Sequence, residues 1–179
     1  ITRQMQDTYA LQSHQKAATA RRKGYFESEI VPVEVEGTVI TCDESVRPDT
    51  SLDKLASLKT VFKADGTVTA GNASPLNDGA SAVLLASESY AKAHQLPILA
   101  KIKATSEVGI DPQFMGISPI EAIQQLMKQV DLTLDEIDLF EINEAFAASS
   151  IVVKEQLQIP DEKINIAGGA ISLGHPIGA

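Results

Sequence analysis

Tryptophan is absent from this sequence, and aromatic residues of any kind make up only 4% of it. Ala, Ile, Leu and Val must therefore build the interior. Hydrophobic residues still reach 44%, the ordinary globular fraction. Such small aliphatic side chains suit helices laid closely on a sheet. Cys42 is the only cysteine, which excludes an internal disulfide, a CxxC redox pair and a cysteine-built zinc site. No apolar run approaches the roughly 18–20 residues that a membrane helix needs, and no signal peptide is visible. Positive charge is scarce: 15 Lys and Arg face 24 Asp and Glu, a formal net charge of −9. That balance speaks against a nucleic-acid partner, whose phosphates demand a basic footprint. The basic residues cluster at Arg21, Arg22 and Lys23 and again from Arg47 to Lys63, which permits a local anion site.

The chain divides into two unlike parts. Residues 1–77 are polar and irregular in pattern. They predict a helix from Thr2 to Lys23 with only a weak apolar stripe (Met5, Tyr9, Ala10, Ala17, Ala18), stopped at Gly24 after three basic residues. Glu29 to Ile40 predicts one or two short exposed strands. Leu52, Leu55 and Leu58 stand at helical spacing, and Asp65-Gly66 is a turn signal. From Asp78 the pattern becomes regular. Ala80–Ala86 predicts a buried strand, and Ser87–Gln95 a helix capped by Ser87. Ile98–Val108 alternates with period two, as a strand does. Ser118-Pro119 opens a helix with Ser118 as its cap. Ile137–Ile142 predicts a strand, Ala145–Leu157 a helix, and Ile164–Ala167 a last strand running into a glycine-rich loop. This alternation predicts an α/β layered domain. His14, on the polar helix, and His94, before Pro97, are both expected at the surface.

Three stretches carry candidate chemistry, at strand-to-helix junctions or between the two parts, where open α/β sheets place their ligands. Gly168-Gly169-Ala170-Ile171-Ser172-Leu173-Gly174-His175-Pro176-Ile177-Gly178 holds a histidine between glycine and proline, either a structural turn or a rigidly held acid, base or hydrogen-bond donor. It lacks the GxGxxG dinucleotide fingerprint. In Glu141-Ile142-Asn143-Glu144-Ala145-Phe146-Ala147, local rules favour Asn143 as a helix cap. The alternative is an amide that orients a water or donates to an oxyanion. Thr69 to Ala80 is small and polar, either a linker or a surface that offers backbone groups and the Ser74 hydroxyl to a ligand. Within GNASPLNDGA (71–80) and NEAFA (143–147) the acids are Asp78 and Glu144, which suit turns and caps.

Together the motifs GNASxLNDGA (71–80), NEAFA (143–147) and GGAxxxGHPxGA (168–179) closely resemble the thiolase family. The likeness begins with the opening ITRQMQD and spans nearly the whole chain. It implies an incomplete thiolase-like layered α/β fold, with residues 1–77 in the loop domain on the coenzyme A side and 78–179 in a truncated C-terminal domain. It implies an acyltransferase that runs a reversible Claisen condensation on acyl-CoA thioesters, most simply acetoacetyl-CoA, with coenzyme A and its thioesters as substrates and no permanently bound cofactor or metal. By resemblance His175 is the catalytic histidine, which activates a nucleophilic cysteine and binds the thioester oxygen. Asn143 holds a catalytic water in the oxyanion hole, and Glu144 supports the active-site loop. Ser74 contacts the pantetheine arm, while Ala70, Met115 and Phe146 line the pantetheine and acyl tunnel. Arg47 stands beside the adenine nucleotide, with Leu58 and Phe62 in the same wall. The resemblance also implies a homodimer or homotetramer and no nucleic-acid or membrane partner. A cytoplasmic location is the default expectation.

The match is incomplete. The family's nucleophilic cysteine and its second cysteine in a Cys-x-Gly context are not among these residues, and no family motif surrounds Cys42, which is expected to be structural or incidental. The chain is therefore expected to be part of a longer one and inactive alone. A 3-ketoacyl-CoA thiolase of β-oxidation and a noncatalytic CoA-binding relative are the alternatives.

Overall fold

The computed structural model describes residues 1–179. Its longest element is helix α1, Arg3–Arg22. Thr2 caps it by accepting from the Met5 N–H, and Gly24 leaves it at φ +71°. That backbone region costs glycine nothing. The buried residues of α1 are Gln6, Asp7, Tyr9, Ala10, Ser13, His14, Ala17 and Ala20. They recur every three or four positions, as one helix face requires. Half of them are polar, which is why the stripe is weak when hydrophobicity alone is counted. His14 is among them, only 6% exposed. The expected surface position is wrong because its ring meets the Arg47 segment rather than water. His94 is exposed and stacks on Tyr90, ring centroids 4.1 Å apart.

A hairpin follows, β1 (Val33–Val35) paired antiparallel with β2 (Thr38–Ile40), its side chains exposed as the sequence predicts. Glu36 and Gly37 both take positive φ, which a two-residue turn of this hand needs. Helix α2 (Leu52–Ala56) is capped by Ser51 and buries Leu55. Helix α3 (Glu88–Ala93) is capped by Ser87, as expected. Helix α4 (Ser118–Val130) follows a 3-10 stretch, Pro112–Ile117. Ser118 is already helical and makes no cap bond, so that expectation fails: the preceding tight turn supplies the entry. Helix α5 is Ala147–Gln156, and a short α6, Ala170–Leu173, precedes His175.

The strands expected in the second part are only partly made. Phe140 and Ile164 form a parallel bridge, with the Phe140 N–H donating to Lys163 and the Asn165 N–H donating to Phe140. The segments 137–142 and 164–167 therefore meet side by side. Residues 80–86 and 98–108 form no ladder. Ala80–Ala86 lies in no strand and is not buried: Val83 is 88% exposed. A strand exists through its neighbour's hydrogen bonds, and no segment of these 179 residues lies alongside. The period-two pattern of the second segment survives in its burial, since Ala104, Ser106, Val108 and Ile110 are half-buried between exposed neighbours. Ser106 docks it by donating to the Ala122 carbonyl of α4 at 2.7 Å.

Two apolar clusters hold the rest. Tyr9, Ala10, Leu55, Ala147, Ile151 and Ile171 join α1, α2, α5 and α6. Phe140, Ile142, Val153, Leu157, Ile159 and Ile164 seat α5 on the bridged pair. The first cluster takes in Ala147 and Ile171 from the 143–147 and 168–175 segments, and the second reaches Ile142, one residue before Asn143. No helix is long and apolar enough to cross a membrane.

Candidate active site

The three motifs are joined to one another by their backbones. Ala73 bridges Phe146, with the Ser74 N–H donating to the Ala145 carbonyl at 3.0 Å and the Ala147 N–H donating to Asn72 at 2.9 Å. Leu76 bridges His175. Residues 71–80 thus run between the other two motifs and fix their separation.

Asn72 anchors this arrangement and is fully buried. Its Oδ1 accepts the Thr69 N–H at 2.9 Å, and its Nδ2 donates to Asp7 Oδ1 at 2.9 Å and to the Thr67 carbonyl at 3.1 Å. Asp7 is held in turn by Arg3 at 2.8 Å. These α1 residues were missed in the sequence, where nothing marks a polar side chain on a buried helix face. Ser74, half-buried, also donates its hydroxyl to the Ala145 carbonyl, at 3.2 Å.

Asn143 is not a helix cap. The N-cap of α5 is Phe146, and the Asn143 amide instead reaches His175, with Nδ2 to Nε2 at 3.3 Å. An amide nitrogen can only donate, so as a hydrogen bond this contact requires the tautomer in which His175 Nε2 accepts. The histidine is placed by its own main chain. Its N–H donates to Asn77 Oδ1 at 3.3 Å, and Asn77 donates onward to Ser45 at 3.2 Å. Gly174, at φ +106°, lies so close to Asn77 that a Cβ there would overlap the carboxamide. Asn143 and His175 line one open cleft of about 790 Å³ with Asn77, Asp78 and Glu141. Burial, and then the charge of Glu144, push the Glu141 carboxyl above its usual range, opposed by Lys16.

The other expected binding residues lie along a second line of contacts. Phe62 meets Phe146 edge-on, centroids 6.2 Å apart. Leu58 closes over Gly71, where a Cβ would strike its side chain. Ala70 is exposed beside it. Met115, 70% exposed, sits on the 3-10 stretch that packs on α5. Arg47 has an exposed side chain, and its main-chain N–H donates to His14 Nδ1 at 3.1 Å. Arg47 therefore stands with α1 and makes no hydrogen bond to the Ser74 group. Cys42 is free and half-buried, in a cavity of about 400 Å³ with Ala17, Phe26 and Ile30 that shares Asp43 and Leu173 with the cleft.

In chemical terms the cleft offers two neutral nitrogen groups from different loops. When the ring proton is on Nε2, both N–H groups face the same space and can share one developing oxyanion, directly or through a water. Fixed donors of this kind act strongly because they need no reorganisation as charge develops.

Comparison with known proteins gives one consistent answer. Residues 1–89 match the family model "Thiolase, N-terminal domain" and residues 96–179 match "Thiolase, C-terminal domain". A Staphylococcus epidermidis protein described as "Probable acetyl-CoA acyltransferase" is 50% identical over 184 residues, covering 100% of this chain and 47% of that protein. The crystal structure of the Bacillus anthracis acetyl-CoA acetyltransferase superposes with a TM-score of 0.96 at 47% identity, over 99% of this chain and 46% of that one. That of human mitochondrial 3-ketoacyl-CoA thiolase in complex with CoA gives 0.95 at 47% identity, over 98% and 45%. The chain thus spans about half the length of the curated relatives it matches.

Proposed function

The chain belongs to the thiolase family, and from that membership we propose that the protein containing it makes and cleaves the carbon–carbon bond of 3-ketoacyl-CoA, with acetoacetyl-CoA as its main substrate. The observation that carries this reading is the 3.3 Å approach of Asn143 Nδ2 to His175 Nε2. Claisen chemistry places negative charge on a thioester oxygen next to the reacting carbon. With the ring proton on Nε2 the histidine joins the Asn143 amide as a second donor on the cleft, and a single such donor to the developing charge contributes about 3 kcal/mol.

The acyl group is carried on a thiolate during turnover. Cys42 is not among the residues lining the His175 cleft, and this reading assigns the thiolate to another cysteine of the longer protein. Residues 58–74 and 146 form the wall along which a pantetheine arm would run. Ser74 supplies the polar contact, Phe62 and Phe146 the apolar ones, and the Arg47 guanidinium meets the nucleotide end. Homo-oligomer formation by the full-length protein is part of the same proposal.

A 3-ketoacyl-CoA thiolase of longer chain specificity is the second reading, since the 47% identity to the human enzyme equals that to the bacterial acetyltransferase and does not separate the two. Turnover of acetoacetyl-CoA against a long-chain 3-ketoacyl-CoA by the full-length protein decides between them. Higher kcat/KM on acetoacetyl-CoA is the expected result, and the reverse order replaces it with the second reading.

A further inference from the structure

Helix α1 lies more than a hundred residues from either active-site loop in sequence, yet Ser13 on it touches both. Its hydroxyl, in a residue only 2% exposed, donates to Glu144 Oε2 at 2.7 Å. The same oxygen accepts the Gly169 N–H at 3.2 Å and lies 2.9 Å from Ser172 Oγ. Glu144 is 1% exposed and forms no ion pair. The hydrogen bonds to its carboxyl come from neutral groups, among them Ser13, the Ile171 N–H at 3.2 Å and Asn165 Nδ2 at 2.9 Å. A carboxylate so enclosed depends on every one of those donors.

The positions of these contacts matter more than their number. Glu144 follows Asn143 directly. Gly169 and Ile171 start α6, whose far end delivers His175. Ser13 and Glu144 therefore sit at the root of both arms that bring Asn143 and His175 together. There is no room for slack, since a Cβ on Gly169 would overlap the Glu144 carboxyl and one on Gly168 would overlap Ala17 of α1.

We propose that Ser13 is a positioning residue for the reaction, acting through Glu144 to set the distance between Asn143 and His175. The inference rests on the thiolase reading of that pair. A misplacement of about 1 Å in such a constellation lowers turnover by about a hundredfold. Neither Ser13 nor Glu144 lines the cleft itself, so substrate binding should hardly change.

The test is steady-state thiolysis by the full-length protein, comparing wild type, Ser13→Ala, Glu144→Gln and His175→Ala, with melting temperature followed in parallel. In Glu144→Gln the amide must turn its NH2 toward either Asn165 or the Ser13–Ile171 donors, so one donor always faces another. The expected result is a kcat lowered about tenfold or more in Ser13→Ala and further in Glu144→Gln, with KM for the acyl-CoA within about threefold of wild type. Should Glu144→Gln not fold, Ser13→Ala alone decides. Wild-type kcat in Ser13→Ala overturns the inference, and so does a parallel loss of kcat, CoA binding and folded protein, which marks a general structural role. If His175→Ala turns over as fast as wild type, the thiolase reading falls, and this inference with it.

Discussion

Asn143 Nδ2 stands 3.3 Å from His175 Nε2 although 32 residues separate them. Neither side chain is placed by the element it belongs to. Asn143 precedes α5 without capping it, and His175 follows α6 on a left-handed glycine. Both are placed by third parties: residues 71–77, which bridge to Phe146 and to His175, and the buried Ser13–Glu144 contact. The site is thus a junction of three loops, each held at its base and free at its tip.

Replacing Asn143 with Ala in the full-length protein removes one of the two donors and leaves the fold untouched, because the side chain is exposed and caps nothing. The expected loss is about 10²–10³ in kcat, with KM nearly unchanged. Steady-state kinetics on acetoacetyl-CoA check this, and a loss confined to KM would make Asn143 a binding residue.

Asn72 makes three hydrogen bonds with its buried side chain, to Thr69, Asp7 and Thr67. Replacing it with Ala leaves Asp7 and the Thr69 N–H without that partner. Each buried group so abandoned costs about 1–3 kcal/mol. Chemical denaturation should show a destabilisation of at least that size. KM for CoA should rise too, because Ser74 hangs from the same turn. Unchanged stability would mean that water replaces the amide without loss.

His14 gives the structure a pH dependence. Its Nδ1 accepts the Arg47 N–H, and burial, then the Arg47 charge, hold its pKa below the usual value of 6.5. The folded state therefore binds fewer protons at this site than the unfolded chain. The stabilisation is complete above about pH 6.5 and is lost as pH falls toward the depressed folded value. Denaturation midpoints measured from pH 7.5 to 5 should fall for wild type and stay flatter for His14→Asn, whose Oδ1 can still accept. Equal slopes would remove His14 from the account.

Much of this was legible in the sequence and some was not, for identifiable reasons. Ser87 caps α3 as expected, because a short hydroxyl before a helical run is a local signal, whereas the same signal at Ser118 fails because the preceding 3-10 stretch already supplies the entry. The motifs around Ser74, Asn143 and His175 were visible, and the structure stitches them together. The buried side of α1 was not, because Gln6, Asp7, Ser13 and His14 look like surface residues until their partners, 33 to 159 positions away, are in place. Asn143 was ambiguous for the same reason: an asparagine before a helix satisfies local rules for a cap, and only the position of His175 reveals the other use. Ala80–Ala86 failed in the opposite sense. Its pattern fits a buried strand, but burial needs neighbours that the other 172 residues do not supply.

The most direct measurement is the CoA-dependent cleavage of acetoacetyl-CoA by the full-length protein, wild type beside His175→Ala, with acetyl-CoA quantified. The account predicts that wild type converts one acetoacetyl-CoA and one CoA into two acetyl-CoA, and that the variant keeps its fold and CoA binding but loses about a thousandfold or more in kcat. Failure of the wild type to form acetyl-CoA, or a His175→Ala rate equal to it, would contradict the account.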